Sequence, residues 1–149
     1  MNVPVEPKSK IGAHDIWHEP DTGFVFFVHN GVINLAEARE LVAYLVEKSG
    51  GEPIFFLADD RKATGYTPEA RTVLATSELI PIGVYVAVFG APLVVRVVIN
   101  LLEKAARVVP GAKVLAYAGL EEASARAWLS ERRQAYLRRQ ATESSERRR

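Results

Sequence analysis

Apolar residues along this chain alternate between two spacings, and that alternation predicts most of its elements. Phe24-Val25-Phe26-Phe27-Val28 is an unbroken apolar run, as a strand buried on both faces requires. Ile11 to Glu19 mixes apolar and polar positions and reads as its hairpin partner, with Pro20-Asp21-Thr22-Gly23 as the turn. Leu35, Ala38, Leu41, Val42 and Leu45 then recur at helical spacing. Asn34 stands before them as N-cap, Glu37 three residues on completes a capping box, and Ser49-Gly50-Gly51 closes the helix. Ile54 to Ala58, Val84 to Phe89 and Lys113 to Ala118 are further strands. Between and after them fall helices from Pro68 to about Leu79, from Pro92 to about Val109, and from Leu120 to about Arg139.

The stretch Leu57 to Arg71 organises the rest. It leaves an apolar strand, crosses a polar loop, and opens a helix with Thr67 as N-cap and Pro68 at the first helical position. In α/β proteins ligands gather at the carboxyl ends of strands, so the loop Asp59, Asp60, Arg61, Thr64, Tyr66 and Thr67 is the first place to look for a site. The whole pattern predicts an α/β domain: five strands, mainly parallel, one of them antiparallel and supplied by the N-terminal hairpin, with four helices.

Composition narrows the class further. The 149 residues suit one domain, 48% hydrophobic and 25% charged, with a net charge of +1. Residues 1–10 read as an arm, 11–139 as the α/β domain, and 140–149 as a charged, disordered tail. With no cysteine there is no disulfide, thiolate metal site or cysteine nucleophile. Met1 to Lys10 is polar and shows no secretory signal, so the cytoplasm is the expected location. Leu79 to Leu102 is apolar enough to catch a hydropathy scan. Pro81, Gly83, Gly90 and Pro92 break it into a strand, a turn and a helix, so no transmembrane segment is expected.

Three groups of residues carry a resemblance. Asp60 leads into Gly65-Tyr66-Thr67-Pro68-Glu69-Ala70-Arg71; Val86-Ala87-Val88-Phe89-Gly90-Ala91 enters a long apolar helix; Glu121-Glu122-Ala123 precedes Trp128-Leu129. With the element order, these make Ile11 to Leu129 resemble the SpoIIAA-like fold of STAS domains, the bacterial anti-sigma factor antagonists and their relatives, which lipid-transfer CRAL-TRIO domains share. The chain looks like a stand-alone bacterial branch of that superfamily. Regulatory STAS domains place a phosphorylatable Ser or Thr directly after the Asp that ends this strand; here Asp59 is followed by Asp60, Arg61 and Lys62, with Thr64 the nearest hydroxyl.

Other chemistry is sparse. His14 and His18 share a strand face, but four residues of strand separate them by roughly 13 Å, too far to chelate one metal. His29 on the next strand could approach one of them, and all three read as strand-surface histidines. No phosphate loop, nucleophile elbow or zinc-binding helix motif is present, so no enzyme, metal or cofactor is expected. On the helix from Pro92, Arg96, Asn100, Glu103, Lys104 and Arg107 fill an arc of roughly 100°, leaving roughly 200° apolar. Val94, Val95, Val98, Ile99 and Leu102 lie in that surplus, which the last helix, a second subunit, a lipid-like ligand or a membrane surface could cover. The arginines from Arg132 to Arg149 form a basic cluster without stacking aromatics beyond Tyr136, which disfavours nucleic acid.

The expectation is a non-catalytic regulatory module that binds a protein partner or a second copy of itself through the loop and the apolar helix. The alternative is a carrier or sensor of a small apolar or lipid-like ligand, with Phe24, Phe26, Phe27, Phe55, Phe56 and the Val94 to Leu102 helix around it.

Overall fold

The structure, a computed structural model, describes residues 8–149. Three short or moderate strands open it: β1 (Ser9–Ile11), β2 (His14–Glu19) and β3 (Phe24–Ile33). Helix α1 (Leu35–Ser49), the long strand β4 (Ile54–Tyr66), α2 (Pro68–Thr76), the single turn α3 (Leu79–Ile82) and β5 (Val84–Phe89) follow. Helix α4 (Leu93–Arg107), β6 (Val114–Gly119) and α5 (Glu122–Arg147) complete the chain. The six strands lie side by side in sequence order, the first three antiparallel and β3 to β6 parallel.

That order decides which side each helix takes. Parallel connections are right-handed, and from β3 to β6 each advances the sheet in the same direction. All three crossovers therefore lay their helices on one face. There α1 to α4 close a core built from Ile16, Val25, Phe27, Phe56, Val88, Val95 and Ile99. After β6 no strand remains to be reached, and α5 returns across the opposite face. It covers Phe24, Phe26, Phe55, Leu57 and Phe89 with Ala125 and Leu129. Trp128 stacks on Tyr117 with ring centroids 5.6 Å apart.

The local signals explain the element ends. Asn34 accepts from the backbone N–H of Glu37, whose carboxylate accepts in return from the Asn34 N–H, and Gly50 closes the helix in the left-handed conformation at φ 56°. The Thr67 hydroxyl accepts from Ala70 N–H at the start of α2, with Pro68 at the first helical position. In the hairpin turn Gly23 sits at φ 75° and donates its N–H to the Glu19 carbonyl. No helix among the described residues is long and apolar enough to cross a membrane.

Several expectations need correction. The sheet has six strands, not five, because Gly12 and Ala13 turn the chain and Ser9–Ile11 pairs back on β2. Residues 1–7 of the expected arm lie outside the described residues. The polar stretch after Ala58 is strand, not loop: β4 runs to Tyr66 and β3 to Ile33, so the two pair well beyond Asp59, where β5 stops. Such a projecting ribbon has a solvated face, which suits Arg61, Lys62 and Thr64. The last helix passes the expected end near Arg139 and continues to Arg147, so the residues expected as a tail are largely helical.

Candidate functional site

The register of three strands builds one polar cluster inside the helix-covered face. Hairpin pairing sets Ile16 opposite Phe27 and Asp15 opposite Val28. The next rung brings His14 and His29 together, with ring centroids 5.3 Å apart at 71°. Parallel pairing sets Val28 beside Asp59, and a bulge follows: β3 advances two residues to Asn30 while β4 advances three to Lys62. Asp60, inside that bulge, faces the same side as His29, and its Oδ2 lies 3.6 Å from His29 Nδ1. Glu37, the capping residue of α1, brings Oε2 within 3.5 Å of His14 Nε2. Tyr66 sets its ring 5.1 Å from His29.

This cluster is buried. His14 is 0% exposed, and His29 and Asp60 are each 1% exposed. His14 Nδ1 accepts the Asn30 N–H at 2.9 Å, which assigns the neutral ring's proton to Nε2, facing Glu37. Burial, reinforced by His29, holds the His14 pKa below its ordinary value against the opposing pull of Glu37. Burial pushes the Tyr66 phenol well above its ordinary value, and the charge of Asp60 adds to the shift. Both carboxylate oxygens of Asp60 and the Nε2 atoms of both histidines lack a hydrogen-bond partner among the described residues. Buried polar groups are nearly always partnered, which sets these atoms apart from the rest of the core.

His29, Asp60 and Tyr66 border a cavity of about 140 Å³ between the sheet and α1 to α4. Its walls are otherwise mainly apolar, among them Phe27, Phe56, Leu41, Leu45, Val88 and Ile99. Ser77, whose hydroxyl also has no partner among the described residues, and Glu103 are its remaining polar neighbours. Glu103 is engaged: its Oε2 accepts the Ala116 N–H and lies 3.2 Å from Arg107.

The residues expected as an interaction loop are thus dispersed. Asp60 and Tyr66 join the cavity. Asp59 points to the other face, where Arg61 holds it as a bidentate partner at 2.9 and 2.7 Å and keeps its pKa below the ordinary carboxylate value. Arg61 and Thr64 are exposed, and Thr67 is spent on its cap. The expected surface set on α4 divides as well. Val95 and Ile99 are buried in the core, Leu102 borders the cavity, Val98 is half-buried, and Val94 is exposed. The last helix does not cover the surplus, since α5 lies across the opposite face. Leu93, Val94, Val97 and Leu101 form the uncovered stripe.

Of the phenylalanines expected around a ligand, Phe27 and Phe56 border the cavity. Phe24, Phe26 and Phe55 cannot, because strand alternation sends them under α5. His14 and His29 are core residues, not strand-surface ones. Their signal was available: counting back from the turn at Pro20 to Gly23 pairs position 14 with 29, and Ile16 fixes that face as buried. Among the described residues no three histidines or carboxylates are placed to hold a metal ion.

No protein-family model matches the chain, and no curated protein matches it. Among solved structures, the chain is similar to an uncharacterised protein of the DUF3478 family with a SpoIIAA-like fold from Shewanella loihica PV-4, determined at 2.25 Å. The two share 20% identity and superpose with a TM-score of 0.47, covering 78% of this chain and 92% of that one. The present chain is defined by its own architecture: a six-stranded mixed α/β domain with an N-terminal antiparallel hairpin and an apolar cavity under one helical layer.

Proposed function

We propose that this protein is a non-catalytic binder of a small, largely apolar molecule, held in the cavity between the sheet and α1 to α4. The observation that carries the reading is the cavity itself. Folded interiors are packed almost without voids larger than a water molecule. A dry cavity of about 150 Å³ lined by aliphatic and aromatic side chains binds benzene, and the cavity here is about 140 Å³ with walls of the same kind. Filling it restores contacts that the lining side chains lack. The test is titration of the purified protein with toluene, followed by amide and methyl chemical shifts. Saturable shifts at Leu41, Phe56, Val88 and Ile99 support the reading; their absence up to the solubility limit of toluene overturns it.

A second reading rests on a different observation. Leu93, Val94, Val97 and Leu101 are 49–69% exposed along one side of α4, beside a surface groove between α2 and α4. Contiguous exposed apolar surface favours docking of a protein partner or a second copy of the chain. In this reading α4, and not the Asp59 to Thr67 stretch, is the contact element of a regulatory interaction module. Sedimentation of the wild type against the variant V97K/L101K tests self-association; a monomer for both removes the homodimer.

A further inference from the structure

We propose that the ligand is a small primary ammonium, its apolar body in the cavity and its cationic head on Asp60. The inference rests on the cavity reading above and adds the charge and hydrogen-bonding class of the ligand.

Three independent features converge on that class. First, Asp60 is 1% exposed, borders the cavity, and has no hydrogen-bond donor on either oxygen among the described residues. A carboxylate in apolar surroundings is costly unless it is paired. Second, the acidic groups around the cavity are not balanced. Among the described residues no lysine or arginine borders it, whereas Asp60 and Glu103 both do. Glu103 already has the Ala116 N–H and Arg107, which leaves Asp60, with the His29 ring 3.6 Å away, as the acid without a lysine or arginine partner among the described residues. Third, the acceptors match the donors of an ammonium. His29 Nδ1 faces Asp60 Oδ2 at 3.6 Å, beyond hydrogen-bond distance, and both Asp60 oxygens remain open as acceptors beside the cavity. Two open carboxylate oxygens can accept N–H donors of a primary ammonium.

Other head groups fit less well. A hydroxyl brings one donor and no charge. A carboxylate or phosphate would face Asp60 with like charge, and among the described residues the cavity offers it only neutral donors, the Tyr66 phenol, the Ser77 hydroxyl and the His29 ring. A hydrocarbon fills the apolar body and leaves Asp60 as it was. The volume of about 140 Å³ suits a body of about one ring.

The experiment compares three probes of one shape on the full chain at neutral pH: benzylamine, benzyl alcohol and toluene, each titrated by calorimetry and by chemical shift. The expected order is benzylamine first, at least tenfold tighter than toluene, with benzyl alcohol between them. In Asp60→Asn the advantage of benzylamine is expected to vanish while toluene affinity stays within about twofold. Equal or tighter binding of toluene by the wild type overturns the ammonium assignment and leaves the cavity reading intact. Failure of all three to bind overturns both. The wild-type comparison decides the matter even if Asp60→Asn does not fold.

Discussion

Arg126, one turn into α5, forms a bidentate pair with Glu19 at the end of β2, with Nη1 to Oε1 at 2.9 Å and Nη2 to Oε2 at 2.8 Å. The pair ties the returning helix to the hairpin across the face that α5 covers, and the guanidinium carbon lies 5.6 Å above the Phe26 ring. Hydrogen bonding from Arg126, with a smaller contribution from the Thr22 hydroxyl, holds the Glu19 pKa below its ordinary value of 4.5. A carboxylate with a depressed folded pKa stabilises the fold fully above the unfolded value, and that contribution is lost as pH falls through the folded value. Glu19→Gln is therefore expected to cost about 1 kcal/mol at pH 7 and to lose less stability on acidification than the wild type. Urea midpoints between pH 6 and pH 3 check both parts.

His14 gives a second pH dependence, at higher pH. Protonating it would sever the Asn30 N–H bond to Nδ1 and place a charge beside His29 in a buried site, with Glu37 and the Val32 backbone in partial compensation. Its folded pKa lies below the ordinary 6.5, so its contribution is complete above that value and declines as pH falls from there through the folded value. The melting temperature is expected to drop between pH 7.5 and pH 5.5, and to drop less in His14→Gln. Equal slopes for the two proteins would refute it.

Asn34 satisfies the N-terminal N–H of α1 at Glu37 and is satisfied by that residue in turn. Asn34→Ala is expected to destabilise the domain by about 1 kcal/mol. Glu37 also approaches His14, so Glu37→Ala removes both interactions and is expected to cost more, by a margin that shrinks in the His14→Gln background. Chemical denaturation of the wild type, Asn34→Ala, Glu37→Ala, His14→Gln and the two double variants in the His14→Gln background measures it.

Ala106 of α4 is 2% exposed and borders the cavity. Ala106→Leu is expected to fill part of the void, abolish toluene binding, and leave stability unchanged or raised by about 1 kcal/mol. A thermal melt beside the toluene titration distinguishes this from overpacking, which would lower the melting temperature.

On α4, V97K/L101K changes residues about half exposed and is expected to shift stability by no more than about 0.5 kcal/mol. Loss of a concentration-dependent species in sedimentation, with an unchanged melt, would assign the apolar stripe to self-association.

The sequence by itself determined the elements whose signals are local. The capping box at Asn34 and Glu37, the Thr67-Pro68 start of α2, the turn before Phe24 and the apolar runs of the strands depend on neighbours within a few residues, and each stands where those residues put it. Alternation of strand and helix also determined the α/β class and the mainly parallel pairing, because strands joined through helices run in one direction. Three things depended on tertiary structure. Polar residues from Asp59 to Thr64 continue β4 only because β3 extends alongside to pair with them, a partner that no local pattern announces. The choice of face for α5 followed from the completed sheet, and it decided that Phe24, Phe26 and Phe55 sit beneath that helix while Phe27 and Phe56 border the cavity. The cluster of His14, His29, Asp60 and Glu37 draws one residue from each of four elements. Strand register, a bulge and a helix start had to be set together before those side chains could meet.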